Sequence, residues 1–231
     1  MPYLETADVL RHDCAGPGLH ELELSAPQTA AVAAPGQFVH MHVRPVWFGR
    51  QQSSAQAQPL LRRPFSISDA DSNASGSITI LYKVRGAGTQ LLANARPGDR
   101  LDVMGPLGIG FTLPEPPSRP QSQPESQPES QPELRPWRQP TARSPHSLLV
   151  GGGVGIAPLV FLAHALARAG HRVTVFYGAD TAGDMQSALR RLQASGAGSI
   201  RVFTTTLDGS AGLAGIVTDL LTAEPSATAL E

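Results

Sequence analysis

Between residues 19 and 104 the chain alternates apolar and polar positions in short runs. Leu19 to Ser25 reads LHELELS, and Gln37 to Val43 reads QFVHMHV after the turn signal Pro35-Gly36. Arg62 to Ser68, Ser77 to Val84 (SITILYKV) and Arg100 to Met104 continue the pattern. A period of two buries one face of a strand. Short strands punctuated by Gly and Pro predict a small antiparallel barrel or sandwich. One short helix is expected at Thr89 to Ala95, ended by Pro97-Gly98. The polar stretch Gln51 to Gln58 reads as a loop inserted between strands.

Past residue 145 the period changes. Ser147 to Val150 is an apolar strand running into Gly151-Gly152-Gly153-Val154-Gly155, and Pro158 to Ala169 is an apolar helix closed by Gly170. Arg172 to Tyr177 is a second strand, followed by a helix at Asp184 to Ser195 and a strand at Ile200 to Thr204. Alternating strands and helices predict a parallel sheet with crossover helices. The fold class is therefore β followed by α/β.

Between the two patterns lies a Pro-, Gln- and Ser-rich stretch, Pro114 to Pro145, with the tetrapeptide Ser-Gln-Pro-Glu three times in succession from Ser122 to Glu133. Proline at every fourth place excludes helix and central strand. A neutral, extended or disordered spacer is expected there. The chain thus divides into 1–113, the linker 114–145, and 146–231.

Composition adds mainly exclusions. The 231 residues suffice for two compact units. A net charge of -1 gives no reason to expect a nucleic-acid or anionic-membrane partner. Lys83 is the only lysine among 18 basic residues. The single cysteine, Cys14, excludes a disulfide framework or a zinc cluster. His40 and His42 share one strand face, but no third ligand joins them, so no metal site is expected. The charged N-terminus has no apolar leader segment, and no run approaches a membrane span. A cytoplasmic protein is the expectation.

Two places carry candidate chemistry. The run GGGVGIAP, 151 to 158, joins a strand to a helix. Glycines let the backbone approach a pyrophosphate, and the helix N-terminus offers N–H groups and a positive dipole end. Gly151, Gly152, Gly153 and Gly155 form the turn, and Pro158 suits the first helical turn. The other reading is a tight connection without ligand. Asp180, just past the second strand, could accept hydrogen bonds from an adenosine ribose and repel a 2′-phosphate, favouring NADH over NADPH; it could equally be a surface turn residue.

In the first unit, Arg63-Pro64-Phe65-Ser66 lies on a strand. An Arg fork can pair a pyrophosphate, an aromatic can cover a ring system, and a Ser hydroxyl can bond a ring nitrogen. Alternatively these are ordinary strand residues. Gly86-Ala87-Gly88-Thr89 opens the short helix and could hold phosphate. Two phosphate-type sites in two units suggest a flavin in one and a nicotinamide in the other, with hydride passing where they face each other.

Four blocks carry a family resemblance: RRPFSIS (62–68), LYKVRGAGT (81–89), GDRLDVMGPLGIGF (98–111) and LLVGGGVGIAPL (148–159). They resemble the ferredoxin–NADP reductase superfamily and, within it, the electron transfer subunits of dihydroorotate dehydrogenase; DGSAGLAGIVTDLL (208–221) is similar too. The resemblance implies an FAD-binding barrel followed by an NAD-binding α/β unit. By matching position, Arg63, Pro64, Phe65, Ser66, Leu81, Tyr82, Lys83, Gly88 and Thr89 would contact FAD, with Ser66 beside flavin N5. Glycines 151 to 155 would receive the NADH pyrophosphate. Electrons would pass from NADH through FAD and a [2Fe–2S] cluster to a dihydroorotate dehydrogenase catalytic subunit, in pyrimidine synthesis. The cluster requires four cysteines that this chain lacks. Either a C-terminal part is missing or the cluster has been lost, and truncation is the expectation. A related flavin reductase subunit serving sulfur or glutamate metabolism, and a degenerate binding module, are the rival readings.

Overall fold

A computed structural model describes residues 1–43, 61–73, 75–114, 145–194 and 199–222. The loop expected at 51–58 and nearly all of the expected linker lie outside these residues.

The first unit is a closed barrel, which decides between barrel and sandwich. Its strands are β1 (Tyr3–Gly16), β2 (Leu19–Ser25), β3 (Phe38–His42), β4 (Arg63–Asp71), β5 (Ser77–Lys83) and β6 (Arg100–Leu107). Their order around the barrel is β1-β2-β5-β4-β3-β6, with every pair antiparallel. Alternate residues point inward: Leu22 and Leu24, Val39 and Met41, Phe65 and Ile67, Ile78 and Ile80, Leu101 and Val103 are all buried. Two short helices lie among them, α1 (Pro27–Val32) and α2 (Ala87–Leu92). The expected helix starts two residues earlier than the sequence suggests and stops at Leu92.

The sequence pattern missed β1 and α1. β1 serves two partners. Its first half pairs with β6 and its second half with β2, with irregularities after Val9 and Cys14. Only Ala7, Val9 and Ala15 of its side chains are buried, so no clean alternation shows. The N-terminus of α1 is capped by a carboxylate from β1: Glu5 accepts from the Gln28 and Thr29 N–H groups, at 3.2 and 2.8 Å.

The second unit is a four-stranded parallel sheet in the order β10-β9-β8-β7. Its strands are β7 (His146–Gly152), β8 (Arg172–Ala179), β9 (Ile200–Thr206) and the two-residue β10 (Leu213–Ala214). Helices α3 (Ala157–Arg168), α4 (Gln186–Ala194) and α5 (Asp219–Thr222) accompany them. The helix expected from Asp184 begins at Gln186, because residues 182–184 form a 3-10 turn first. Among the described residues β7 is an edge strand, with Leu148 and Val150 53% and 41% exposed.

Helix α3 is buried on more than one face because it lies between the two units. Val160 and Leu166 pack into the sheet core, while Phe161 belongs to the barrel core, against β4. In return Ala15, Leu19 and Leu81 of the barrel pack into the sheet core. The two hydrophobic cores interlock across the seam.

Candidate functional site

The glycine run leaves β7 and opens α3. Residues 153–156 make a 3-10 turn, and Gly153 has φ +51°. A Cβ on Gly151 would press on Leu159 Cδ1 at 2.9 Å and Ile156 Cδ1 at 3.2 Å, so this glycine serves packing. At Gly152, Gly153 and Gly155 a Cβ would meet nothing within 4 Å. These three exposed glycines line open space at the C-terminal end of a parallel strand, where open α/β sheets bind ligands. Pro158 is at N2 of α3, a position that needs no N–H partner. Backbone that a ligand can approach, beside a helix N-terminus, fits a dinucleotide pyrophosphate.

Register carries that space across to β8, where Gly152 faces Gly178. Asp180 follows, with its side chain 62% exposed. Lys83 Nζ, from the end of β5 in the barrel, donates to Asp180 Oδ2 at 3.1 Å. It also stands 3.7 Å from Asp184 Oδ1. Two residues expected at different sites therefore meet across the seam.

At the start of β4 two adjacent arginines part company. Arg62 is neutralised by Asp102 at 2.8 Å. Arg63 reaches only the carbonyl oxygens of Leu61 and Arg62, at 3.1 and 3.5 Å, and no carboxylate among the described residues pairs with it. Ser66 Oγ likewise has no protein partner among them, whereas Ser68 is buried and donates to Thr79 O at 3.0 Å. Pro64 is exposed. Phe65 is 7% exposed, its ring edge-on to Tyr82 at 5.7 Å. Leu81 is buried in the seam. Gly88 is buried near the start of α2, and Thr89 Oγ1 accepts from the Arg85 and Gly86 N–H groups at 2.9 and 3.1 Å. A guanidinium and a hydroxyl left without side-chain partners among the described residues, beside a pre-formed glycine turn, suit the phosphates and ring of FAD.

Tyr82 is held by His12, whose Nδ1 donates to Ala95 O at 2.8 Å. That fixes the tautomer, so Nε2 accepts from the Tyr82 hydroxyl at 3.0 Å. Burial pushes the Tyr82 phenol well above its usual value. His20 stacks on the same ring, and burial, with His12 nearby, lowers its pKa.

Sequence reasoning missed an ionic network across the seam. Arg191 of α4 donates to Glu21 on β2 at 2.7 Å and to Asp69 on β4 at 3.3 Å. Ser187 and Arg11 also donate to Glu21. His164 Nδ1 stands 3.8 Å from Asp69. Burial alone would raise the Glu21 carboxyl, but the bonds from Arg191 and Ser187 and the charges of Arg191 and Arg11 outweigh it and hold it low. Asp69 is lowered against burial in the same way, by His164 and Arg191.

Cys14 is exposed on β1, and a [2Fe–2S] cluster does not fit one thiol. No group of three or more potential metal ligands occurs among the described residues. Nor is any described helix long and apolar enough to cross a membrane.

A closed antiparallel barrel wedded through α3 to a parallel sheet with a glycine cradle defines the ferredoxin–NADP reductase-like fold. Solved structures agree: an NADH-dependent reduced ferredoxin-NADP oxidoreductase matches with TM-score 0.69 and 24% identity, over 97% of this chain and 65% of that one. A ferredoxin NADP+ reductase from Neisseria gonorrhoeae with bound FAD and NADP matches with TM-score 0.62 and 17% identity, over 95% and 76%. No protein-family model matches. Among curated proteins, an electron transfer subunit of dihydroorotate dehydrogenase B (NAD(+)) from Geobacillus sp. (strain WCH70) is 36% identical over 217 residues, 94% of this chain and 68% of that protein. Those from Desulforamulus reducens and Geobacillus thermodenitrificans are 34% and 36% identical, over 93% and 87% of this chain. The chain belongs to this family of electron transfer subunits. It spans 66% and 63% of the last two relatives' lengths.

Proposed function

We propose that this chain holds FAD on its barrel, takes hydride from NADH bound at the sheet, and delivers the electrons to a dihydroorotate dehydrogenase catalytic subunit in the cytoplasm. One observation carries the reading. The helix that opens at the glycine cradle, α3, packs through Phe161 on β4, the strand bearing Arg63 and Ser66. A nucleotide on the cradle and a flavin on β4 are thereby held in one frame. The names of the curated relatives support the donor and the partner.

When bound, FAD supplies a two-electron centre that accepts hydride. The chain's own residues do the rest. Arg63 offers a fork of N–H donors to the flavin's pyrophosphate. Ser66 Oγ, without a protein partner among the described residues, is available to hydrogen-bond the ring, and Ala87 and Gly88 at the start of α2 present backbone N–H groups. Gly152, Gly153 and Gly155 let the NADH pyrophosphate lie against the backbone at the start of α3. Asp180 orients the adenosine ribose and disfavours a 2′-phosphate.

The purified protein should show oxidised-flavin absorbance that bleaches on adding NADH without oxygen. A colourless protein that cannot be loaded with FAD would sink the reading.

A further inference from the structure

We infer that Lys83 is an exchangeable counter-ion, pairing with Asp180 in the nucleotide-free protein and crossing to Asp184 when the dinucleotide ribose engages Asp180. This rests on the reading that Asp180 meets the ribose.

Lys83 Nζ lies 3.1 Å from Asp180 Oδ2 and 3.7 Å from Asp184 Oδ1. The two carboxylates are unequal. Asp180 is 62% exposed, whereas the Asp184 side chain is 9% exposed. Asp184 Oδ2 accepts from Thr181 Oγ1 at 3.1 Å, but among the described residues its Oδ1 is buried without a hydrogen-bond partner. A buried carboxylate oxygen without a hydrogen bond is an unfavourable state that a cation closing on it relieves. The pair with Asp180 is largely solvated and so cheaply broken. A ribose diol that takes Asp180 displaces Lys83 toward an acceptor already waiting. The move is about 1 Å, the gap between 3.7 Å and a charged hydrogen bond.

Side-chain chemistry suits the exchange. A lysine is a point donor on a flexible stem, while an arginine fork would clamp both acids at once. Lys83 is the only lysine among 18 basic residues, and it stands here. It projects from the barrel, and both acids belong to the α/β unit. Nucleotide binding therefore rearranges an ion pair across the seam.

The sign of two substitutions separates this from a static bridge. Asp184→Asn strands the ammonium on Asp180, so NAD+ affinity of the FAD-loaded protein, measured by calorimetry, should fall roughly two- to fivefold. Lys83→Met frees Asp180 and should raise affinity by a similar factor. The double variant should match Lys83→Met, since Asp184 acts only through Lys83. Shifts in the same direction, or additive effects, would overturn the exchange. FAD content and thermal unfolding of each variant separate these effects from lost flavin or lost fold. A second readout needs no substitution. After 13C reductive methylation Lys83 gives the only side-chain amine signal, and NAD+ should shift it; an unmoved signal at saturation contradicts the exchange. Asp180→Asn distinguishes the two levels. If it leaves NAD+ affinity unchanged, the underlying reading of Asp180 fails. If it weakens NAD+ while the other variants show no opposition, only the exchange fails.

Discussion

Glu21 shows how much of the seam depends on single side chains. Its carboxylate takes bonds from Arg191, Ser187 and Arg11, and partner separations in sequence of 166 and 170 residues made it invisible beforehand. Sequence expected a strand from Arg62, which the structure begins at Arg63, and only Asp102 decides which arginine is neutralised. Glu21→Gln leaves Arg191 with a poorer partner. The expected cost is about 1–3 kcal/mol, less than a fully buried broken pair because Arg11 is half exposed, and urea unfolding would measure it. Acid should act on the same residues. Glu21 and Asp69 titrate below their ordinary 4.5 and 3.8 in the folded chain, so their contribution is complete above those values and lost as pH falls through the lowered ones. His20 is lowered from 6.5, so its share of stability is complete above 6.5 and begins to be lost below it. Unfolding midpoints measured downward from neutral pH should therefore decline first modestly and then steeply. A flat profile to strongly acid pH would contradict the network.

At the scale of elements, legibility followed locality. Strands β2, β3, β5 and β8 announced themselves because their alternation or apolar run is self-contained. Helix α1 did not, because its cap is Glu5, more than 20 residues earlier, and its six residues carry no periodic stripe. The glycine turn was legible as a strand-to-helix connection, but not the division of labour inside it. Gly151→Ala should strain the start of α3 against Ile156 and Leu159, costing about 1–3 kcal/mol. Gly152→Val should leave stability nearly unchanged while occupying open space, and weaken NAD+ binding at least roughly tenfold as close backbone contact to phosphate is lost. Paired thermal unfolding and calorimetry on both variants would check this, and the reverse pattern would refute the assignment.

For the whole molecule, the change of hydrophobic period revealed two units, while their joint lay in contacts between positions far apart. Phe161 enters the barrel core and Leu81 the sheet core, so neither core is closed without the other. One cooperative melting transition is expected for the native chain. Phe161→Ala should remove about 3–5 kcal/mol and resolve the calorimetric trace into two transitions, whereas a single transition at a merely lower temperature would show that the remaining contacts, Leu81 and the ionic network among them, suffice to hold the seam.

The edge of the sheet has a different consequence. Along β7 the outward N–H and C=O groups have no strand to meet among the described residues, and Leu148 and Val150 lie bare beside them. Backbone groups open in this way take a further strand in register, so on this side the described strands leave the sheet unclosed.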